Sequence, residues 1–207
     1  MRITTVLFDL DGTLLPMDLD IFSKAYIGGL AKTAIPYGYD PSEMAKAIFA
    51  GTVAMAKNDG SHTNEEVFWQ IMVSYFGESV LAHTHIFDEF YETEFQKIQG
   101  VCGYTPKAAE TVEELRRKGF RVALATNPLF PTVATDSRIR WAGLEPSDFE
   151  LYTTFETSRH CKPNPDYYRD VAAALGVSPE ECLMVGNDAL EDLIAEQTGL
   201  RVFLLTD

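Results

Sequence analysis

An α/β fold with a doubly wound parallel sheet, interrupted near its start by an all-helical unit, is what this 207-residue sequence predicts. Three observations carry that reading. Short apolar runs with β-branched residues, Ile3 to Phe8, Phe120 to Ala125 and Cys182 to Val185, have the pattern of strands buried on both faces. After Gly100, helix-length segments with start and stop residues separate such runs, and strands alternating with helices build a parallel sheet covered on both sides. Between Leu14 and about Gln99 no strand-like run of comparable quality occurs, and helical spacing takes over.

Taken in order, Ile3 to Phe8 is the first strand, and it runs out at Asp9-Leu10-Asp11-Gly12-Thr13. In the helical third, Asp40-Pro41-Ser42-Glu43 supplies a capping residue, a proline at the first helical position and a glutamate at the third, ahead of Met44, Ala47, Ile48 and Phe49. Thr63-Asn64-Glu65-Glu66 repeats the capping-box spacing before Val67, Phe68, Ile71, Met72 and Tyr75, and Gly77 is placed to end that helix. A third amphipathic stretch, Ile86 to Ile98, spaces Phe87, Phe90, Tyr91 and Phe95 by three and four, as core-facing residues are. The polar link Asn58 to His62 is a candidate for facing the mouth of a site. Beyond Gly100, Thr105-Pro106 opens a helix through Val112 and Leu115 that Gly119 closes. Phe120 to Ala125 follows as a strand ending at Thr126-Asn127-Pro128. A helix over about Thr132 to Trp141 leads to a weaker strand near Phe149 to Thr153. Asn164-Pro165-Asp166 starts a helix that ends at Gly176, and Ser178-Pro179-Glu180-Glu181 bridges to the strand Cys182 to Val185. Gly186 opens a turn into a helix from Ala189 to Thr198, and Val202 to Leu205 is the last strand.

Composition bounds the function. With 46% hydrophobic and 23% charged residues the chain is an ordinary folded protein. A formal net charge of -14 argues against nucleic-acid or anionic-membrane partners, which such a surface repels at long range. A small anionic substrate stays compatible, because a metal ion and one lysine can reverse the potential locally. Cys102, Cys161 and Cys182 are an odd set without a C-x-x-C pair, fitting reduced thiols in a cytoplasm. The start MRITTVLFDL lacks a signal-peptide pattern, and no apolar run approaches a membrane span, so a cytoplasmic protein is expected.

The chemistry-bearing residues fall after strands, where ligands sit in such sheets. Asp9 and Asp11 are two carboxylates two residues apart, and a pair so close needs a cation, a shared proton or a reaction to justify it. Thr126 brings a hydroxyl, and Asn127 and its neighbours bring backbone N–H groups suited to a phosphoryl oxygen. Lys162, before Pro163, places an ammonium that can neutralise a nucleophile or a phosphate. Gly186-Asn187-Asp188-Ala189-Leu190-Glu191-Asp192 gathers carboxylate and amide oxygens of the kind hard cations prefer. Each also has an ordinary reading, as turn residue, solvated lysine or helix cap. His83-Thr84-His85 sits where a helix begins, where i and i+2 diverge, and is a poor metal pair.

In this order, and each after a strand, the four elements resemble the motifs of the haloacid dehalogenase superfamily of phosphohydrolases. The resemblance covers the first 15 or so residues and everything after about Gly100; the segment between looks like that family's helical cap, inserted after the first motif. It implies a Rossmann-like catalytic core of residues 1–15 and 100–207 and a C1-type helical cap of residues 16–99. By the same resemblance Asp9 is the nucleophile, Asp11 the general acid and base, Thr126 with Asn127 the phosphate-binding segment, and Lys162 the charge-neutralising lysine. Mg2+ would be held by the Asp9 carboxylate, the Asp11 carbonyl and the segment Asn187 to Asp192. The chain departs from the family pattern at the last motif, where Gly186 is followed by Asn187 rather than aspartate. Two registers fit: Asn187 paired with Asp192, or Asp188 paired with Asp192 after a one-residue insertion. The function implied is a magnesium-dependent phosphatase of a small phosphorylated metabolite. Alternatives are a sugar phosphomutase of the same fold and, because of Asn187, a catalytically weak binding or regulatory member. Dehalogenase or phosphonatase chemistry is disfavoured, since those relatives generally lack the second aspartate that Asp11 supplies. The oligomeric state is open.

Overall fold

The structure, a computed structural model, describes residues 2–206. Four parallel strands form one sheet, β1 (Thr5–Phe8), β2 (Arg121–Leu124), β3 (Cys182–Gly186) and β4 (Arg201–Leu204), in the order β2-β1-β3-β4. β1 is central, with Val6 opposite Val122 on one side and Leu183 on the other. Its four residues are buried, as a strand covered on both faces requires. Leu7 packs with Ala123 and Met184 on one face, and Val6 and Phe8 belong to a larger cluster on the other. The chain passes from β1 to one neighbour and later returns to the other side, so the strand order reverses at β1. That reversal leaves a crevice beyond its C-terminal end.

The extended segment near Phe149 to Thr153 lies beside β2 and makes three ladder bonds. Glu150 N donates to Val122 O (2.9 Å), Leu124 N to Leu151 O (2.8 Å) and Thr153 N to Leu124 O (3.2 Å). It falls short of the expected strand, holding a single bridge between Leu124 and Tyr152, because the chain turns at Thr154, whose carbonyl accepts from Thr157 and Ser158.

Between β1 and the second half of the sheet the chain is helical. α1 (Leu19–Thr33) is capped by Asp18, which accepts from Ile21 N. α2 (Pro41–Ala56) is capped by Asp40, which accepts from Ser42 N and Glu43 N, while Glu43 pairs with Lys46 instead of closing a box. α3 (Asn64–Phe76) has the full Thr63/Glu66 capping box. The stretch expected as one helix from Ile86 to Ile98 is broken at Thr93 into α4 (His85–Glu92), α5 (Glu94–Lys97) and a 3-10 turn, Ile98–Val101. At the break the Thr93 hydroxyl donates to Glu89 O (2.7 Å) and the Gln96 amide to Tyr91 O (2.8 Å), side chains that satisfy carbonyls where the backbone leaves the helix. Phe87, Phe90, Tyr91 and Phe95 are nevertheless all core, as their spacing predicts.

α6 (Pro106–Arg117) and α8 (Pro165–Leu175) begin at the predicted caps Thr105 and Asn164, and α7 (Thr132–Trp141) covers the expected residues without a side-chain cap. The helix expected over Ala189 to Thr198 is a shorter 3-10 helix, Leu193–Thr198. Asp188 closes the preceding turn by accepting from Leu190 N and Glu191 N, and Asp192 is drawn inward, so regular structure starts only after it. No helix among the described residues is long and apolar enough to cross a membrane.

The two connections to the helical unit run side by side: Met17 bridges Cys102 in antiparallel fashion and Gly103 N donates to Pro16 O (2.6 Å). A second attachment is polar. Asn64, fully buried at the start of α3, accepts from Asn58 Nδ2 (2.8 Å) and donates to Pro128 O (3.1 Å), while its backbone N–H donates to Ser158 O (2.9 Å). The link Asn58 to His62 therefore packs on residues 158–161, where Arg159 donates to Ser61 O (3.2 Å), and not at the mouth of the crevice. His83 Nδ1 pairs with the Tyr39 hydroxyl (2.7 Å), a structural use. Truncating Asn64 orphans a buried donor and a buried carbonyl, so Asn64→Ala is expected to cost about 2–4 kcal/mol in urea denaturation; a loss under 1 kcal/mol would show that this junction contributes little.

Candidate active site

Asp9 follows β1 with its backbone still held in the sheet, its N–H donating to Val185 O (2.9 Å) while Ala125 N donates to Phe8 O (2.7 Å). The chain then turns sharply: Thr13 N and Leu15 N both donate to Leu10 O, and Gly12 takes φ +90°, open to glycine at little cost. A β-carbon at Gly12 would also lie 2.4 Å from the Asn187 side chain, so the turn is packed against the segment that follows β3.

Beneath Asp9 lies the ammonium of Lys162, entirely buried. Lys162 Nζ donates to Asp9 Oδ1 (2.9 Å) and to Asp192 Oδ1 (2.7 Å). Asn127 holds the lysine backbone, its Oδ1 accepting from Lys162 N (3.2 Å), and its amide donates to Glu191 Oε1 (3.0 Å). Asp192 also accepts from Tyr168 Oη (3.3 Å) and, through Oδ2, from Asp188 N (3.1 Å). A β-carbon at Gly186 would sit 2.0 Å from Asp192 Oδ2, which is why the strand ends in glycine there. The Thr13 hydroxyl stands within reach of Asp9 Oδ2 (3.2 Å) and Asn187 Oδ1 (3.0 Å).

Asp9, Asp11, Thr126, Asn127, Asn187, Asp188 and Asp192 line one cavity of about 300 Å³, with Lys162 directly behind it. All the residues singled out in the sequence thus converge. Both register residues reach the cavity, but differently: Asn187 faces Thr13, whereas Asp188 Oδ1 already accepts from two backbone N–H groups of its own turn.

Sequence reasoning missed Arg138. This fully buried arginine on α7 pairs with the Asp11 carboxylate, donates to Thr135 Oγ1 (3.3 Å) and lies 4.3 Å from the centre of the Phe130 ring. The available signal was positional: Arg138 shares the inner stripe of its helix with Ala134 and Trp141, where a charge needs a partner. Asp11 Oδ1, by contrast, is buried without a partner among the described residues.

Burial pushes the Asp9 carboxyl up to about 6, with Lys162 opposing the shift and Asp192 and Asp11 adding to it. Burial likewise raises Asp11 against the pull of Arg138 and Lys162. Burial works against the Lys162 ammonium, but Asp9, Tyr168, Tyr167 and Asp192 outweigh it and hold its pKa well above the usual value. Glu191 is pushed up to about 7, again chiefly by burial. Burial thus holds these carboxyls toward their neutral form.

Among the described residues no three carboxylate, imidazole or thiol groups converge on one point, since Asp192 is committed to Lys162 and Asp188 to its turn. The donors that remain are oxygens, namely the Asp9 carboxylate, backbone carbonyls, the Asn187 amide and the second oxygen of Asp188. With an orphaned Asp11 oxygen nearby, this set fits a hard cation and not a soft one. The raised Asp9 has a measurable consequence. Between its ordinary 3.8 and about 6 the folded chain keeps a proton that the unfolded chain has lost, so metal-free stability falls as pH rises through that window. Asp9→Asn removes this penalty. In chelator it is expected to be more stable than the parent by about 2–3 kcal/mol above pH 7, with the two converging near pH 4 in urea unfolding; a difference that does not change with pH would contradict the assigned shift.

A model of the family described as haloacid dehalogenase-like hydrolase matches residues 3–195. The pyrophosphatase PpaX of Bacillus cereus strain AH820 is 27% identical over 200 residues, 96% of this chain and 81% of that protein. Among solved structures, CbbY from Rhodobacter sphaeroides in complex with phosphate superposes with a TM-score of 0.61 at 19% identity, covering 100% of this chain and 87% of the other. The HAD family enzyme bt-2542 from Bacteroides thetaiotaomicron, in complex with magnesium and inorganic phosphate, gives 0.58 at 17% identity, over 99% and 94%. At such identities the structural likeness speaks for the fold alone, and it agrees with a parallel sheet carrying an inserted helical cap. The family match spans nearly the whole sequence: the chain belongs to the haloacid dehalogenase-like hydrolases.

Proposed function

We propose that the protein is a magnesium-dependent phosphatase that hydrolyses a small phosphorylated metabolite through an aspartyl-phosphate on Asp9. The observation that carries this reading is the position of Asp9: fixed at the end of the central strand, one carboxylate oxygen bound by a buried ammonium, with Asp11 two residues on lining the same cavity. Residues 1–15 and 100–207 act as the catalytic core and residues 16–99 as the cap, a division supported by the pairing of the two connections at Met17 and Cys102.

In the first step Asp9 Oδ2, which Lys162 leaves unbound, attacks phosphorus in line while the bond to the leaving oxygen breaks and Asp11 gives that oxygen its proton. In the second step Asp11 takes a proton from water, which attacks the acyl phosphate and releases inorganic phosphate and free Asp9. Lys162 balances charge on Asp9, and Thr126 with the amides of its segment holds the phosphoryl oxygens. Mg2+, when bound by Asp9, the Asp11 carbonyl and Asn187 or Asp188, supplies charge neutralisation between nucleophile and phosphate. Arg138 acts through Asp11, fixing its carboxylate, and is a positioning residue. The three unpaired cysteines suit a cytoplasmic setting, and the acidic surface suits a small-molecule substrate over a nucleic acid. Asn187, in place of the family aspartate, favours one second reading, a binding or regulatory member with weak turnover.

Hydrolysis of an aryl phosphate with and without magnesium, with Asp9→Asn as the blank, separates the two readings: release of phosphate by the parent alone is expected, and equal negligible release from both proteins rules out the enzyme. Comparing Asn187→Ala with Asp188→Ala assigns the register, since the residue at the metal is the one whose loss raises the magnesium requirement more. For Arg138→Met, kcat is expected to fall about 10–100-fold on alkyl phosphates, whose leaving oxygen needs a proton, and far less on a nitrophenyl ester. An equal loss on both would make Arg138 a purely structural residue.

A further inference from the structure

The cavity above Asp9 has two unlike sides. Its floor is polar and acidic, with Asp9, Asp11, Asp188, Glu191 and Asp192 around the phosphate-binding Thr126 and Asn127. The opposite wall, where the departing part of a substrate must lie, comes from α1, α2 and the segment after Asn127. It presents Leu19, Phe22, Ile27, Phe49, Leu129 and Phe130. The polar groups on that side are few and uncharged: Ser23, Thr52 and Tyr26, whose hydroxyl is already paired with Tyr91 Oη (2.8 Å).

Among the described residues no lysine, arginine or histidine lines the cavity. Lys162 and Arg138 are buried and committed to Asp9, Asp192 and Asp11. Leu19 and Phe49, 50% and 61% exposed, hold large apolar surface toward water at the mouth. A second anionic group set against this wall would lose its hydration among rings and methyl groups, with five carboxylates below it and, among the described residues, no basic side chain beside it. A polyhydroxylated group would meet few partners for its hydroxyls. A neutral apolar group would gain by covering the wall.

We infer that the leaving group is an uncharged, apolar or aromatic alcohol, and that the substrate is its phosphate monoester. The inference rests on the phosphatase reading and narrows it. It sets this chain apart from the activity in the name of its relative, the pyrophosphatase PpaX, and turns away from sugar phosphates. With about 300 Å³ available, the alcohol is a short chain or a single small ring.

The test is kcat/KM, with magnesium, for methyl, ethyl, propyl, butyl and benzyl phosphate beside glycerol 3-phosphate, 2-phosphoglycolate and pyrophosphate. The expected result is a rise of roughly threefold per added methylene, in line with burial of apolar surface, with benzyl phosphate above every charged or hydroxylated substrate. Phe49→Lys, at an exposed position where folding is not at stake, is expected to lower benzyl phosphate turnover and raise that of 2-phosphoglycolate, changing their ratio at least about tenfold. A flat alkyl series, pyrophosphate or glycerol 3-phosphate as the better substrate, or an unchanged ratio in Phe49→Lys overturns the leaving-group assignment and leaves the phosphatase standing. Absence of phosphate release from every substrate overturns the phosphatase reading and this inference with it.

Discussion

One ammonium, on Lys162, joins three parts of the chain that are far apart in sequence. Asp9 comes from the end of β1, Asp192 from the turn after β3, and the lysine from the segment ahead of α8. Burying these charges is unfavourable unless they meet, so the strand ends must come into register for any of them to be tolerated. The surrounding contacts serve that requirement: Asn127 holds the lysine backbone, Tyr168 bonds Asp192, and Gly186 leaves room for the Asp192 carboxylate. Because two carboxylates face one ammonium and Asp11 and Asp188 stand close by, the centre retains negative charge that suits a further cation. Burial, with Asp192 and Asp11 adding to it against the pull of Lys162, keeps the Asp9 carboxyl raised in the metal-free protein.

The helical unit is joined to this centre through aromatic packing. Phe22 and Tyr26 of α1 meet Phe130 with ring centres 5.9 and 5.0 Å apart, and Phe130 in turn covers the guanidinium of Arg138 that holds Asp11. The helix that shapes the apolar side of the cavity therefore packs on the ring that covers Arg138, the partner of Asp11. Asn64 anchors the unit at a second place, on Pro128 and Ser158, so the carbonyl of the residue after Asn127 is held from the helical side. The apolar wall, the segment after Thr126 and the pair Asp11–Arg138 are thus linked by packing.

Much of this was legible in the sequence because it is locally encoded. The buried runs at Thr5–Phe8 and Arg121–Leu124, the caps Asp40, Thr63, Thr105 and Asn164, and the terminating glycines Gly77 and Gly176 all act through neighbours a few residues away. The order of Asp9, Thr126, Lys162 and the Asn187 to Asp192 segment, each after a strand, was enough to locate the site, since the C-terminal ends of parallel strands share one edge. The elements that came out differently answer to particular turns and side-chain contacts, some of them distant. The turn at Asp188 to Asp192 forgoes a regular helix because Asp192 reaches Lys162, the segment near Tyr152 leaves β2 early at Thr154, and the link at Asn58 follows Asn64 onto residues 158–161.

The sequence by itself determined the fold class, the helical insertion and which polar residues gather at the C-terminal edge of the sheet, because periodicity, capping and strand-end position are properties of short segments. Tertiary structure alone decided that Arg138 is the partner of Asp11, that Asn187 faces Thr13, and that the wall above Asp9 is largely apolar, with no cation on it among the described residues. Those are pairings across more than a hundred residues, or surfaces assembled from several elements, and no local pattern of residues specifies which side chain will be opposite which.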